Sequence, residues 1–265
     1  MTQLPLVSEF LDACFQDQNQ INLVKSLLDS PTYTANLDIP RRLGRALKLN
    51  EFDTILDLAS GDGIADVMLC QTYGCQIVGL TPNEDQLSRA RQTAFKSKLF
   101  QKVTFKLGNL SDLTYLHDSY DTVICESSLS PSPDKYTLVN EIQKILKPGG
   151  RTGIVDITLE GNLPSNLSCM LPMVPSLNLA ISADGYKNIF KEHGFKSIEI
   201  QHLTTILSET IRTLQIKIMM ARLAASNDII QIDTAAFEKA HALLVLINES
   251  VTEGNLSFIM LTAIN

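Results

Sequence analysis

Ile55-Leu56-Asp57-Leu58-Ala59-Ser60-Gly61-Asp62-Gly63 is the stretch whose reading decides the fold of this 265-residue chain. It begins as an apolar, β-branched run and then turns through two glycines spaced two apart. The residues that follow, Ile64-Ala65-Asp66-Val67-Met68-Leu69, read as a helix. A strand that ends in a glycine-rich turn and feeds a helix is how open α/β sheets hold nucleotides. Glycine lets the backbone approach the ligand, and the N–H groups at the helix start have no intrahelical partner and point at it.

Outward from that stretch the chain alternates. After the strand at residues 54–58 and a helix to Tyr73, residues 76–80 read as a second strand. Thr81-Pro82-Asn83-Glu84 fits a capping box with Pro82 at the first helical position, opening a helix to about Lys98. Residues 103–107 and 122–125 read as the third and fourth strands. A helix over 134–146 stops at Pro148-Gly149-Gly150, and 152–157 is the fifth strand. Strands separated by helices imply right-handed crossovers and a parallel sheet covered on both faces. A Pro- and Asn-rich segment, a helix at 183–193 and a sixth strand at 197–203 follow. The last strand is 256–262.

Residues 1–50 read as an N-terminal helical cap. Between the last two strands lie two amphipathic stretches. Leu207, Ile211, Leu214 and Ile218 recur at steps of four, three and four, and Phe237, Ala240, Leu244, Ile247 and Val251 at three, four, three and four. Both are helical periods with one apolar face, so residues 204–254 are expected to be an inserted helical hairpin, and 51–203 with 255–265 the core.

Composition narrows the function. The chain is 45% hydrophobic and 19% charged with a net charge of −7, which suits a soluble globular protein and counts against a nucleic-acid partner held by its phosphates. Cys14, Cys70, Cys75, Cys125 and Cys169 show no paired spacing and read as reduced thiols. With early acids and no basic leader region, the chain is expected in the cytoplasm. No apolar run reaches the roughly 20 residues of a membrane span, and no metal-ligand spacing is present.

Several stretches in order resemble class I S-adenosylmethionine (SAM)-dependent methyltransferases. The glycine turn lacks the third glycine of dinucleotide enzymes, for Asp66 stands there, but Asp57-Leu58-Ala59-Ser60-Gly61-Asp62-Gly63 is similar to that family's D/E-x-G-x-G-x-G motif, with Ala59 for the first glycine. Thr81 stands where many members carry a ribose-binding acid, and its spacing to Gln86 resembles cyclopropane-fatty-acid and mycolic-acid enzymes, in which the glutamine takes that role. Gly108-Asn109-Leu110 is similar to the adenine-holding stretch, Tyr120 to Ser127 to the fourth-strand region, and Leu146-Lys147-Pro148-Gly149-Gly150 to the turn before the fifth strand. The resemblance implies a Rossmann-like, seven-stranded, mostly parallel sheet sandwiched by helices, with the seventh strand antiparallel. It implies SAM as cofactor, S-adenosylhomocysteine (SAH) as product, and a cofactor site of Asp57, Ala59, Ser60, Gly61, Gly63, Thr81, Gln86, Asn109, Leu110 and Glu126, with Tyr33 placed over SAM from the loop before the first strand.

The acceptor side is less determined. Ser130-Pro131-Ser132-Pro133 lacks the adjacent prolines of enzymes that methylate DNA bases or glutamine amides, which favours a small-molecule acceptor. Residues 127–135 and the stretch from Gly185-Tyr186 to Gly194-Phe195 resemble ubiquinone/menaquinone C-methyltransferases and arsenite methyltransferases. Arsenite is disfavoured because a soft metalloid needs several thiolates. His202, near the end of the sixth strand, is the candidate general base. In the expected topology residues 204–254 emerge at the carboxyl edge of the sheet, as a lid over the acceptor, a homodimer interface, or both. Methylene transfer of the cyclopropane type and a non-catalytic, partner-binding subunit of the same fold are the rival readings.

Overall fold

The computed structural model describes residues 5–15, 21, 38–108, 113, 119–168, 174–226 and 234–265. The described helices are α1 (Pro5–Cys14), α2 (Asp38–Ala46), α3 (Ile64–Tyr73), α4 (Glu84–Lys96), α5 (Lys135–Ile145), α6 (Ser165–Ser168), α7 (Pro175–Asn178), α8 (Ala183–Glu192), α9 (Thr204–Ser226) and α10 (Thr234–Thr252). The strands are β1 (Thr54–Asp57), β2 (Gln76–Thr81), β3 (Val103–Leu107), β4 (Tyr120–Glu126), β5 (Leu146–Leu159), β6 (Lys196–His202) and β7 (Leu256–Ile264).

They form one sheet in the order β3-β2-β1-β4-β5-β7-β6. The five strands from β3 to β5 run parallel, with Ile55 beside both Ile77 and Thr122. β7 runs antiparallel to β5 and to β6. Side chains alternate across the sheet as the period of two demands. Ile55, Ile124, Val155 and Ile157 join one apolar layer with α2, α3 and α4. Leu56, Val123, Cys125 and Ile154 join the other with α5 and α8.

One expected cap falls elsewhere. The N-cap of α4 is Asn83, whose Oδ1 accepts the Gln86 N–H at 2.9 Å, not Thr81. β2 keeps Thr81 because it still pairs with Leu107 of β3, so the helix begins only at Glu84. Likewise β5 begins at Leu146, just before the Lys147-Pro148-Gly149-Gly150 turn, and reaches the fourth strand's register through an irregularity between Tyr120 and Thr122.

α9 and α10 stand between β6 and β7. Leu207, Ile211, Leu214 and Ile218 on α9 are buried, as are Phe237, Ala240, Leu244, Ile247 and Val251 on α10. They share an apolar cluster with Phe258 and Met260 of β7 and Phe10 and Ala13 of α1. Phe15 meets Phe237 edge-on at 5.2 Å, and Lys239 Nζ donates to the Ala13 carbonyl at 3.0 Å. The Glu9 carboxylate accepts both the N–H and the hydroxyl of Ser176, at 2.9 and 3.0 Å. α1, α7, α9 and α10 are thereby joined as one roof on this face of the sheet.

If that roof is part of the cooperative core, Phe237→Ala removes a wholly buried ring and its edge contact. The expected cost is about 3–5 kcal/mol, read as a lower urea midpoint. An unchanged midpoint would mean that the hairpin unfolds separately from the sheet.

Candidate functional site

β1 delivers the glycine turn to the carboxyl edge of the sheet. Leu58 N–H donates to the Ile124 carbonyl at 3.0 Å, and both the N–H and the hydroxyl of Ser60 donate to the Leu80 carbonyl, at 3.1 and 3.0 Å. The turn is thus tied to β4 on one side and β2 on the other. Gly61 and Gly63 take φ of 52° and 72°, a region that favours glycine. At Gly63 a Cβ would also lie 2.3 Å from the Phe105 ring. Arg89 of α4 donates to Asp62 at 2.8 Å, across the turn.

Beneath the turn three acids converge. Asp57 is buried, and its Oδ1 accepts the Ala59 N–H at 2.9 Å. Burial pushes its carboxyl up to about 6, against the Ala59 N–H and a hydrogen bond with Asp66. Asp66, in the first turn of α3, is 0% exposed. Burial first, then Asp57 and Glu126, holds it well above the carboxylate range. Glu126 closes β4. Its Oε1 is enclosed without a hydrogen-bond partner among the described residues, and burial followed by the charge of Asp57 pushes it up to about 8.

The turn into α4 adds one acceptor. Asn83 as N-cap puts Gln86 in the first turn of α4, and Gln86 Oε1 is enclosed with no donor among the described residues. Thr81 is wholly buried and its hydroxyl donates to the Asn83 carbonyl at 3.3 Å, so it shapes the turn.

A second region lies where β4 and β5 end. Ser127, Ser130, Asp156, Ile157, Ser176, Leu207 and Phe258 line a cavity of about 10 Å³, room for about one water. Asp156 organises it. Its Oδ2 accepts the N–H groups of Leu129 and Ser130 at 2.8 and 2.7 Å, and its Oδ1 that of Ile157 at 2.8 Å. Burial raises this carboxyl against those bonds. Lys135 Nζ donates to the Ser130 and Ser132 carbonyls at 2.8 and 2.7 Å, holding the loop from the other side. Ser127, at φ 53°, and Ser130 each keep an enclosed hydroxyl without a partner among the described residues.

The structure therefore gathers Asp57, Ala59, Ser60, Gly61, Gly63, Thr81, Gln86 and Glu126 about one turn. Tyr33, Asn109 and Leu110 lie outside the described residues. His202 is not brought to the cavity: it is exposed at the end of β6, its Nδ1 3.1 Å from the Ser257 hydroxyl, which also meets Thr204. Two acids escaped the sequence reading. Asp66 registered only as a departure from a glycine pattern. Asp156 was signalled only as a lone acid in an apolar strand, Thr152-Gly153-Ile154-Val155-Asp156-Ile157.

Comparison with known proteins agrees with this geometry. A family model described as a methyltransferase domain matches residues 49–209. The chain is 24% identical to the O-methyltransferase resE of Aspergillus sclerotiorum over 74% of each chain. It is 26% identical to the 27-O-demethylrifamycin SV methyltransferase of Amycolatopsis mediterranei, with the match spanning 58% of each. Among solved structures, a protein of Galdieria sulphuraria described as a sarcosine dimethylglycine methyltransferase superposes with a TM-score of 0.72 at 20% identity, over 87% of this chain and 86% of its own. Other neighbours of this fold were crystallised with SAM or SAH.

The buried acids give the ligand-free protein a pH dependence of definite sign. Asp57 and Glu126 bind protons more tightly folded than unfolded. Their contribution is complete below the ordinary carboxylate range and is lost as pH rises through about 6 and then about 8. The melting temperature should fall between those points, and Glu126→Gln should flatten the upper half of the fall. A melting temperature that rises over that window would refute the placement of these carboxyls.

Proposed function

The chain belongs to the methyltransferase-domain family and is a SAM-dependent methyltransferase of a small-molecule acceptor, and from that premise we propose how donor and acceptor divide between its glycine turn and its roof. The donor site is the turn with Asp57, Ala59, Ser60, Gly61 and Gly63, joined by Thr81, Gln86 and Glu126, and by Tyr33, Asn109 and Leu110. The residues fit that group. Gln86 Oε1 and Glu126 Oε1 are enclosed acceptors lacking donors among the described residues, and ribose hydroxyls and an ammonium are donors. The first N–H groups of α3, which follows Gly63, have no intrahelical acceptor and suit a ligand's carboxylate. When bound, SAM supplies a methyl group already activated on a sulfonium; this chain's residues bind, orient and exclude water.

The acceptor reading rests on one observation, the cavity shared by the β4 loop and α9. The Ser127 and Ser130 hydroxyls meet the acceptor's polar end, and Ile157, Leu207 and Phe258 its apolar body. At about 10 Å³ the cavity holds no metabolite, so α9 swings to admit one. Residues 204–254 then act as a lid on the core of 51–203 and 255–265, with α1 braced against that core through Glu9 and Ser176. His202, engaged with Ser257, is given no part as base, and orientation of a nucleophilic acceptor carries the transfer. The net charge of −7 supports an acceptor other than nucleic acid. Buried free Cys14, Cys70, Cys75 and Cys125 support work in the reducing cytoplasm. No helix among the described residues is long and apolar enough to cross a membrane.

A second role for the hairpin is supported by its outer face. Ile216, Met219, Met220 and Leu223 on α9 are 48, 59, 65 and 64% exposed at helical spacing, a stripe suited to a homodimer.

Calorimetry with SAM and SAH tests the donor site: Gly61→Arg should lower affinity by about 100-fold or more in a protein that still folds, and equal affinity would refute the assignment. Leu207→Trp should leave SAM affinity intact while suppressing acceptor turnover; undiminished turnover would remove the acceptor from that cavity. Met219→Glu with Met220→Glu should convert a dimer to a monomer in sedimentation. A wild-type protein that sediments as a monomer would end the dimer reading.

A further inference from the structure

The ten phenylalanines of this chain divide in two. Seven are buried, whereas Phe52, Phe95 and Phe100 are 84, 69 and 52% exposed. One apolar side chain left in water means nothing; three large rings at one end of one sheet make a patch. All three stand at the amino edge, opposite the glycine turn. Phe95 lies in the last turn of α4, Phe100 precedes β3 and Phe52 precedes β1. The Asp53 carbonyl accepts the Gln76 N–H at 3.0 Å and the Lys102 carbonyl accepts the Ile77 N–H at 2.9 Å, so the entries to β1, β2 and β3 are tied side by side.

The turn between α4 and β3 presents two of these rings. Lys98 takes φ 58°, a region that favours glycine, and the Leu99 N–H reaches back to the Ala94 carbonyl at 2.9 Å. The chain thereby folds back on the helix end. Leu99 packs against the core, and Phe95 and Phe100 meet with ring centroids 5.9 Å apart.

The charge around them has one sign. Residues 86–111 hold six of the chain's 22 basic residues and none of its 29 acids, although the net charge is −7. Arg89 is engaged by Asp62, but Lys48, Lys96, Lys98 and Lys102 are exposed at the same edge as the rings. Of the acids there, Asp53 is buried and paired with Arg151, and Asp121 is paired with Lys147. Glu51 is exposed beside Phe52, one acid against four lysines.

We propose that this amino edge, through Phe95, Phe100 and Phe52 with the lysines among them, is a docking surface for an anionic lipid bilayer. The rings bring apolar area to the boundary between headgroups and acyl chains. The lysine stems follow them while the ammonium groups stay in water and meet anionic headgroups. A single-stranded nucleic acid fits less well, because it stacks successive bases on separate ring faces, and Phe95 and Phe100 turn theirs on each other. The core of a protein interface is depleted in lysine, the residue that alternates with the rings here. The glycine turn and the roof stand at the carboxyl edge, so docking leaves both facing away from the bilayer.

The test is co-sedimentation of the full chain with vesicles of phosphatidylcholine, alone or with about one-third phosphatidylserine. Binding should require the anionic lipid and should fall when salt shortens the screening length to about 3 Å. Phe95→Ala with Phe100→Ala, and separately Lys96→Glu with Lys98→Glu, should each weaken it by about tenfold or more, with the far-ultraviolet circular dichroism unchanged. The chain has no tryptophan, so Phe100→Trp gives one reporter that keeps an aromatic ring in place. Its emission should move to shorter wavelength on anionic vesicles and be quenched by lipids brominated along the acyl chain. The proposal is overturned if the chain does not sediment with anionic vesicles, if neutral vesicles bind it equally, or if the tryptophan stays unquenched. Preference for a single-stranded oligonucleotide or polyglutamate over vesicles, lost in the same variants, would overturn it in favour of a nucleic-acid or protein partner. No SAM enters these measurements, so their failure leaves the donor-site reading where it stands.

Discussion

β7 runs antiparallel between β5 and β6, and the position of everything on the acceptor side depends on that reversal. The chain leaves β6 at the carboxyl edge of the sheet and must enter β7 from the same edge, so whatever lies between is delivered there. α9 begins two residues after His202, and Leu203 N–H is already bonded to the Phe258 carbonyl at 2.6 Å. The apolar faces of α9 and α10 then have one place to be buried: on β7 and α1. The hydrophobic effect fixes the roof; the strand order decides that it covers the ends of β4 and β5.

The same edge concentrates buried charge. Asp57, Asp66, Glu126 and Asp156 are all held in surroundings that raise their carboxyls, with burial as the leading cause at each. They divide by their partners. Asp156 is met by three backbone N–H groups and keeps the β4 loop in place. Asp57 has one such bond and Asp66 beside it. Glu126 and Gln86 retain acceptors without donors among the described residues, the property expected of groups that meet a ligand and not of groups that only hold the fold. Stability is given up at this edge and recovered in the two apolar layers.

Much of this was legible in one dimension because it depends on short-range patterns. The glycine turn, the period-two strands, the helical steps of Leu207 to Ile218 and Phe237 to Val251, and the order of the motif-like stretches each need only a few neighbouring residues to be read. The exact start of α4 did not yield, because the competition for Thr81 between capping the helix and pairing with Leu107 is settled by β3, more than twenty residues away.

The sequence by itself determined the fold class, the donor and the place of the glycine turn, since backbone propensity and spacing encode them locally. Tertiary structure alone decided which acids are buried at the carboxyl edge, that Asp156 holds the loop over a cavity closed by Leu207, that Glu9 clasps Ser176 from 167 residues away, and that His202 engages Ser257 outside that cavity. Protonation and pocket shape arise from burial and from partners distant in the chain, and neither leaves a mark in the spacing of residues.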